Sequence, residues 1–392
     1  MLRQVAMSGA QVRTALRACA EADLSALIPD ARPRAFVVAG SGGAGGATFA
    51  CDALTAICGT GAPIQVTGVS GYQLPGWIGA ADLVIAVSRS GHTAETIALA
   101  AEAARRGCDL VGVGAPDSPL WELVGQARGT YAPVTTVGPA RAMAWALTVP
   151  LLVIAARLGV ARIDDASYEA AAAAMEDVSH QCRPSSESFV NPAKSLALDL
   201  VGRLPVIWGG SALAVAAARR FASQLAANAK HPALVGVLPE AGHDQVAAFD
   251  GPYAPAPEPA FPAAEGFASG EFGADGAFGG TDFGEFPDFP DSGDDDLDGL
   301  GGDEGTLRLV LLADPAGEHP AVERTRVAAA SLAQARGIDV SEITMDGGDP
   351  MRRLAQTVQL LDYASVYLGI ANGIDPLAIA AIKDLRDLTG RE

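Results

Sequence analysis

Histidine and cysteine are scarce in this chain, and neither is spaced to hold a metal. The five histidines, His92, His180, His231, His243 and His319, include no HxH or HxxxH pair, so no metal site and no cofactor is expected. The five cysteines, Cys19, Cys51, Cys58, Cys108 and Cys182, form an odd set without a CxxC pair and read as buried thiols in a reducing compartment. No GxSxG elbow or Cys/His pairing points to nucleophilic catalysis. Basic residues are also short: 27 Lys and Arg face 46 Asp and Glu over 392 residues, a net charge of −19. Nucleic acid and anionic membranes reward basic surface, so neither is expected as a partner. Long apolar runs are missing too. The most apolar stretch, Ala142 to Ala156, lies between Arg141 and Arg157 and contains Pro150, which makes it too short for a bilayer and suited to a core helix. Met1 to Asp30 alternates charge and alanine without the apolar run of an export signal, and cytoplasmic residence is expected.

What the chain does have is regular alternation of apolar strands with helical segments. From Ala35 the order is strand, glycine-rich turn, helix: AFVVAG, SGGAGG, ATFACDALTAIC. A short β run from Ile64 to Val69, the strand DLVIAVS (Asp82 to Ser88), a helix through Glu95 to Arg106 and the strand DLVGVG follow. This alternation indicates parallel sheets covered on both faces, a doubly wound α/β fold. At 392 residues the chain exceeds what one core usually organises. A first domain is expected over 1–158, a helical connection over 159–195, and a second, similar domain over 196–392 that opens at PVIWGGS, Pro205 to Ser211. The halves read as a distant tandem repeat. Within the second, Gly251 to Gly305 holds fourteen Asp and Glu, no Lys or Arg, and seven of the twelve Phe. Such a composition predicts a disordered acidic insertion, read as a solvated spacer in preference to a partner-recruiting segment. It carries 14 of the 19 net negative charges, which leaves the rest near −5, so overall acidity says little about a site.

Two loops carry candidate chemistry. Gly40-Ser41-Gly42-Gly43-Ala44-Gly45 satisfies GxGxxG between a strand and a helix, but the next strand ends in Thr67-Gly68-Val69-Ser70, with no acid to hold a ribose hydroxyl. A dinucleotide site is therefore the weaker reading. Ser88-Arg89-Ser90-Gly91-His92-Thr93 leaves a strand tip and opens a helix, which gathers three hydroxyls and free backbone N–H groups at the positive end of a helix dipole. Hydroxyls without a P-loop lysine suit one phosphate monoester better than a triphosphate with Mg²⁺. The plainer alternative makes Thr93 an ordinary N-cap and the serines turn residues.

This SxSGxTxET pattern resembles the phosphosugar loop of the sugar isomerase (SIS) domain. The glycine loop, Arg141-Ala142-Met143, Asn228-Ala229-Lys230, Leu238-Pro239-Glu240-Ala241-Gly242-His243, the DPAGEHP segment from Asp314 to Pro320, and IDPLAI from Ile374 to Ile379 follow in order. That order is similar to the bacterial and archaeal bifunctional phosphoglucose/phosphomannose isomerases, with PEAGH the most specific signal. The resemblance implies two flavodoxin-like SIS domains in tandem, a homodimer, and interconversion of glucose or mannose 6-phosphate with fructose 6-phosphate through a cis-enediol. Zinc-dependent isomerases of the barrel type do not serve as templates.

Carried over by motif, Glu240 is the base that moves a proton between C2 and C1. Arg141 faces the enediolate, and Ser88, Ser90 and Thr93, with Gly42 and Gly43, hold the phosphate. His319 and His243 are candidates for ring opening, with a structural role as the alternative for each. There are departures: Ala44 stands for a common Ser, His92 for Asn, Leu377 for a small hydroxyl residue, and Arg386 for a Lys. Arginine is a poor proton donor, so Arg386 leaves open a second reading as a non-catalytic sugar-phosphate sensor. For Glu240 the plainer reading is a helix cap or an ion pair with Lys230 or Arg219.

Overall fold

The computed structural model describes residues 1–25, 27, 32–42, 46–136, 138–255 and 305–389. Gly43, Ala44 and nearly all of the acidic insertion lie outside the described residues.

Helices α1 (Leu2–Ala6) and α2 (Ser8–Glu21) precede β1 (Ala35–Ala39), α3 (Ala47–Cys58), β2 (Gln65–Val69), β3 (Leu83–Ser88), α4 (Ala94–Arg105), β4 (Asp109–Gly114), α5 (Pro119–Gln126) and β5 (Thr130–Pro133). Helices α6 (Ala144–Arg157), α7 (Asp165–Gln181) and α8 (Pro192–Asp199) lead to β6 (Leu204–Gly209), α9 (Ala212–Gln224) and β7 (Leu234–Val237). Then come β8 (Leu307–Ala313), α10 (Pro320–Gln334), β9 (Asp339–Thr344), α11 (Pro350–Ala371) and α12 (Ala380–Leu388). The strands form two all-parallel sheets, ordered β2-β1-β3-β4-β5 and β7-β6-β8-β9. The doubly wound flavodoxin-like order is therefore present in the first sheet and shortened by one strand in the second.

Strand parity explains the layering. Leu83, Ile85 and Val87 of β3 face a central layer of helices, whereas Val84 and Ala86 face α4 and α5. In the second sheet, Ile207, Val310 and Leu312 face the same central layer, and Val206, Trp208, Leu309 and Leu311 face α10. One continuous core thus joins both sheets through α3, α6, α9 and α11. The apolar run read as a core helix is α6, with eleven buried residues and Pro150 inside it.

Two edge strands were not legible from the sequence pattern. β5 and β7 are four residues each and half exposed, too short for a clear period. Helix α9 ends at Gln224, and the chain continues as a π turn, Leu225–Ala229. Among the described residues, no helix is long and apolar enough to cross a membrane, and no group of three His, Cys, Asp or Glu is placed to hold a metal ion.

Candidate active site

In open α/β sheets, ligands bind where strand order reverses, beyond the carboxyl ends of the strands. In the first sheet that point lies between β1 and β3, and both candidate loops leave from it. They touch: a Cβ on Gly40 would come within 2.5 Å of Val87 O and 2.8 Å of the Ala47 Cβ, so only glycine lets the β1 turn pass the tip of β3. Gly91, at φ +71°, is pressed in the same way against Ser118, where a Cβ would lie 2.0 Å from Oγ.

Among the described residues, neither helix that starts here is capped by a side chain. Gly46 is the N-cap of α3 and Thr93 that of α4, and neither gives a side-chain capping bond. The hydroxyl of Thr93 instead shares a hydrogen with Ser88 Oγ at 2.8 Å, and Gly91 N donates to Ser88 Oγ at 3.1 Å. Ser88 is buried and braces the loop from within, which leaves Ser90 and Thr93 as the hydroxyls nearer to solvent. Nδ1 of His92 donates to Ser90 O at 2.8 Å, so the residue that departs from the family pattern holds the turn. Helix starts without a side-chain cap, positive dipole ends and hydroxyls make this crevice suited to an anion.

Arg141 is tied to this crevice through the second half of the molecule. Its carbonyl accepts from Arg220 Nη2 at 3.2 Å and Gln224 Nε2 at 3.1 Å. Arg220 is buried in a two-bond ion pair with Asp362 at 3.0 and 2.6 Å, and its guanidinium stands 4.6 Å over the ring of Phe49, in the first turn of α3. The Arg141 head group donates to Pro376 O, while its Nε is buried without a partner among the described residues. Burial lowers the pKa of Arg141, and the Asp375 carboxylate opposes that shift.

The remaining candidates stand apart. Glu240 opens a 3-10 turn, Glu240–Gly242, just past the tip of β7; its side chain is exposed and makes no hydrogen bond or ion pair among the described residues. The two basic residues considered for it are engaged elsewhere, Lys230 with the carbonyls of Ala227 and Ala378 and Arg219 with Asp52 at 3.4 Å. His243 follows on the same turn and is exposed. His319 is the N-cap of α10, where Nδ1 accepts from Ala321 N at 3.1 Å. Arg386 lies on α12, which buries none of its residues. Lys230, weighed from the sequence only as a partner for Glu240, reaches through Ala378 O the same turn that Arg141 reaches through Pro376 O. A cavity of about 810 Å³ lies beyond β5, lined by Arg17, Trp121, Arg128 and Tyr131; it is away from every strand tip that carries these loops.

A model of the family described as the bacterial phospho-glucose isomerase C-terminal SIS domain matches residues 189–388. The chain belongs to that family. Similar to this SIS-family chain is a bifunctional phosphoglucose/phosphomannose isomerase of Caldicellulosiruptor bescii, 28% identical over 181 residues, which covers 46% of this chain and 53% of the relative. The enzyme of the same name from Aquifex aeolicus is 26% identical over 184 residues, with coverage of 47% and 53%. The chain spans about half the length of the curated relatives it matches. Among solved structures, a hypothetical protein of Thermus thermophilus superposes with a TM-score of 0.64 at 16% identity, covering 99% of this chain and 89% of that one, a likeness of fold.

Proposed function

We propose that this SIS-family chain is a metal-independent aldose–ketose isomerase, interconverting glucose 6-phosphate or mannose 6-phosphate with fructose 6-phosphate through a cis-enediol. The observation that carries the reading is the pair of uncapped helix N-termini, α3 and α4, meeting between the glycine loop and Ser90–Thr93 at the strand-order reversal. A phosphate monoester suits that place, with Ser90, Thr93 and the backbone of Gly42 as donors and Ser88 as brace. Glu240 is the proposed base. It takes the C2 proton, the C–H electrons form the C1–C2 double bond, and the C1 carbonyl pair moves onto O1; the O2 proton then passes to O1, its electrons form the C2 carbonyl, and the C1–C2 double-bond pair takes the same carbon-bound proton back at C1. An exposed carboxylate without an ion-pair partner among the described residues is free to do this, which supports the role. Arg141 faces the anionic oxygen, and His243 or His319 opens the ring.

The second reading, a sugar-phosphate sensor, draws on the exposure of Glu240 and Arg386 outside the network around Arg141. One experiment separates them. With Glu240→Gln, turnover in a coupled assay should fall at least about a hundredfold, the low end for a general base, while binding of fructose 6-phosphate holds. Exchange of the C2 hydrogen with solvent deuterium should vanish by NMR. Unaltered exchange in the variant would remove Glu240 from the mechanism, and wild-type binding without any exchange would establish the sensor.

A further inference from the structure

Two cations from opposite halves of the molecule converge on one turn. Arg141, which follows the first sheet, donates to Pro376 O. Lys230, at the end of the π turn in the second half, donates from Nζ to Ala378 O at 2.8 Å and to Ala227 O at 2.8 Å. Asp375 opens the turn, its carboxylate accepting from Leu377 N at 2.9 Å. Like charges repel, so bringing them together is unfavourable unless negative charge lies between them. Among the described residues, the only full negative charge seen to act on both is that of Asp375.

The sequence spends structure on this convergence. Lys230 has a left-handed backbone, φ +55°, which side chains other than glycine and asparagine seldom adopt. The π turn that delivers it is packed against Gly369 of α11, where a Cβ would lie 2.8 Å from Asn228 O. Asn228, fully buried, is locked by its bond to Ser365 Oγ at 2.9 Å. Insertions of this kind are over-represented at functional sites. Donors are left over, too: an ammonium has three, of which Lys230 spends two here, and Arg141 Nε is buried without an acceptor among the described residues. A buried orphan donor calls for an oxygen that the protein itself does not supply. Partial burial of the ammonium and the nearby Arg141 charge lower the pKa of Lys230, with Asp375 opposing.

We propose that Lys230 is a substrate-contacting residue which, with Arg141, holds the negative oxygen that develops at the C1–C2 end of the sugar. This rests on the isomerase reading and extends it to a residue in the second half of the chain. Division of labour follows: the hydroxyl loop at Ser90 takes the phosphate, and the cation pair takes the enediolate oxygen, where donors fixed in advance act without reorganising.

The test uses the full chain, with Lys230→Met, Lys230→Arg and Lys230→Gly. The probes are a sugar-acid phosphate, whose carboxylate replaces the enediolate oxygens, and inorganic phosphate, both measured by calorimetry. Lys230→Met should weaken the sugar-acid phosphate at least about tenfold, on the scale of one charge-assisted hydrogen bond, and lower kcat by a similar factor with little change in KM. Inorganic phosphate should bind as before, and Lys230→Arg should recover most of the loss. Glycine relieves the left-handed strain, so Lys230→Gly should fold at least as well and still lose affinity; this separates contact from stability. Unchanged affinity in both the Met and Gly variants would reduce Lys230 to a latch on the turn. An equal loss for inorganic phosphate would move it to the phosphate subsite and overturn the assignment. Wild-type protein that binds the sugar-acid phosphate without turnover would sink the isomerase reading alone, since the binding arms still judge Lys230; wild-type protein that binds neither probe would sink both.

Discussion

The two strand-order reversals of this molecule occupy the same topological place and are finished in opposite ways. Between β1 and β3, the helices start with Gly46, which has no side chain to cap with, and Thr93, whose hydroxyl gives no capping bond, and the loops are rich in glycine and hydroxyl residues. Between β6 and β8, the N-cap side chains are both engaged. Ser211 Oγ accepts from Ala214 N at 3.1 Å and donates to Asp314 Oδ2 at 2.7 Å, and His319 caps α10. Asp314, wholly buried, pairs with Arg353 at 3.0 Å, and Glu318 with Arg326 at 3.1 Å. The second crevice thus holds two carboxylates packed against Gly210 and Gly317, each ion-paired with an arginine. Duplicated architecture supplies two helix-lined crevices, and it is the capping residues and the buried carboxylates that make the second unlike the first, where the phosphate site is proposed.

The comparison breaks most visibly in stability. Asp314→Asn keeps the shape of the side chain but leaves the Arg353 guanidinium buried without its counter-charge, and should cost about 3–5 kcal/mol in urea unfolding. Fructose 6-phosphate affinity should stay at the wild-type value. A loss of affinity instead would mean that the second crevice takes part in binding. Next in size is the first crevice, where the effect should appear in binding and not in stability. Replacing Ser90 and Thr93 together with Ala removes two hydroxyls and should weaken fructose 6-phosphate by about 2–4 kcal/mol. The thermal midpoint should move little, because Thr93 does not cap α4 with its side chain and Ser88 Oγ keeps the Gly91 N–H when Thr93 is removed. Unchanged affinity would place the phosphate elsewhere.

Much of the first crevice was legible in the sequence because its signals are local. A strand, a glycine turn and a helix within the 24 residues from Ala35 to Cys58 gave β1 and α3, and Ser88 to Thr96 gave the second loop with its hydroxyls. Fold class followed from strand and helix alternation in the same way. The pair of buried carboxylates was not legible. Asp314 and Glu318 read as part of a loop, and only the fold brings Ser211 to Asp314 across 103 positions. The convergence of Arg141 on Pro376 spans 235 positions, and the π turn that aims Lys230 has no sequence period of its own. Ser88 shows the limit at close range: the motif groups it with Ser90, while its place at the last position of a buried strand turns its hydroxyl inward.

The smallest expected effect concerns His319, where the two crevices are least alike. Its Nδ1 accepts the Ala321 N–H, which in the neutral ring puts the proton on Nε2, so the cap leaves an N–H donor facing outward. Helix starts of this kind are ordinarily served by Ser, Thr, Asp or Asn, as Ser211, Asp164 and Asp349 serve α9, α7 and α11 here. A histidine in that position offers a proton that those residues do not. His319→Ala should therefore lower stability by about 0.5–2 kcal/mol through the lost cap, and His319→Asp should restore it. Turnover should part from stability. Sugar rings also open without an enzyme, so loss of the acid should reduce turnover of the ring-closed substrate only about tenfold, below the usual hundredfold for general acid–base catalysis, and Asp should fail to restore it. If Asp restores turnover together with the midpoint, His319 is a cap and nothing more, and ring opening passes to His243. The second crevice would then be structural throughout, and the division between the two halves of the molecule complete.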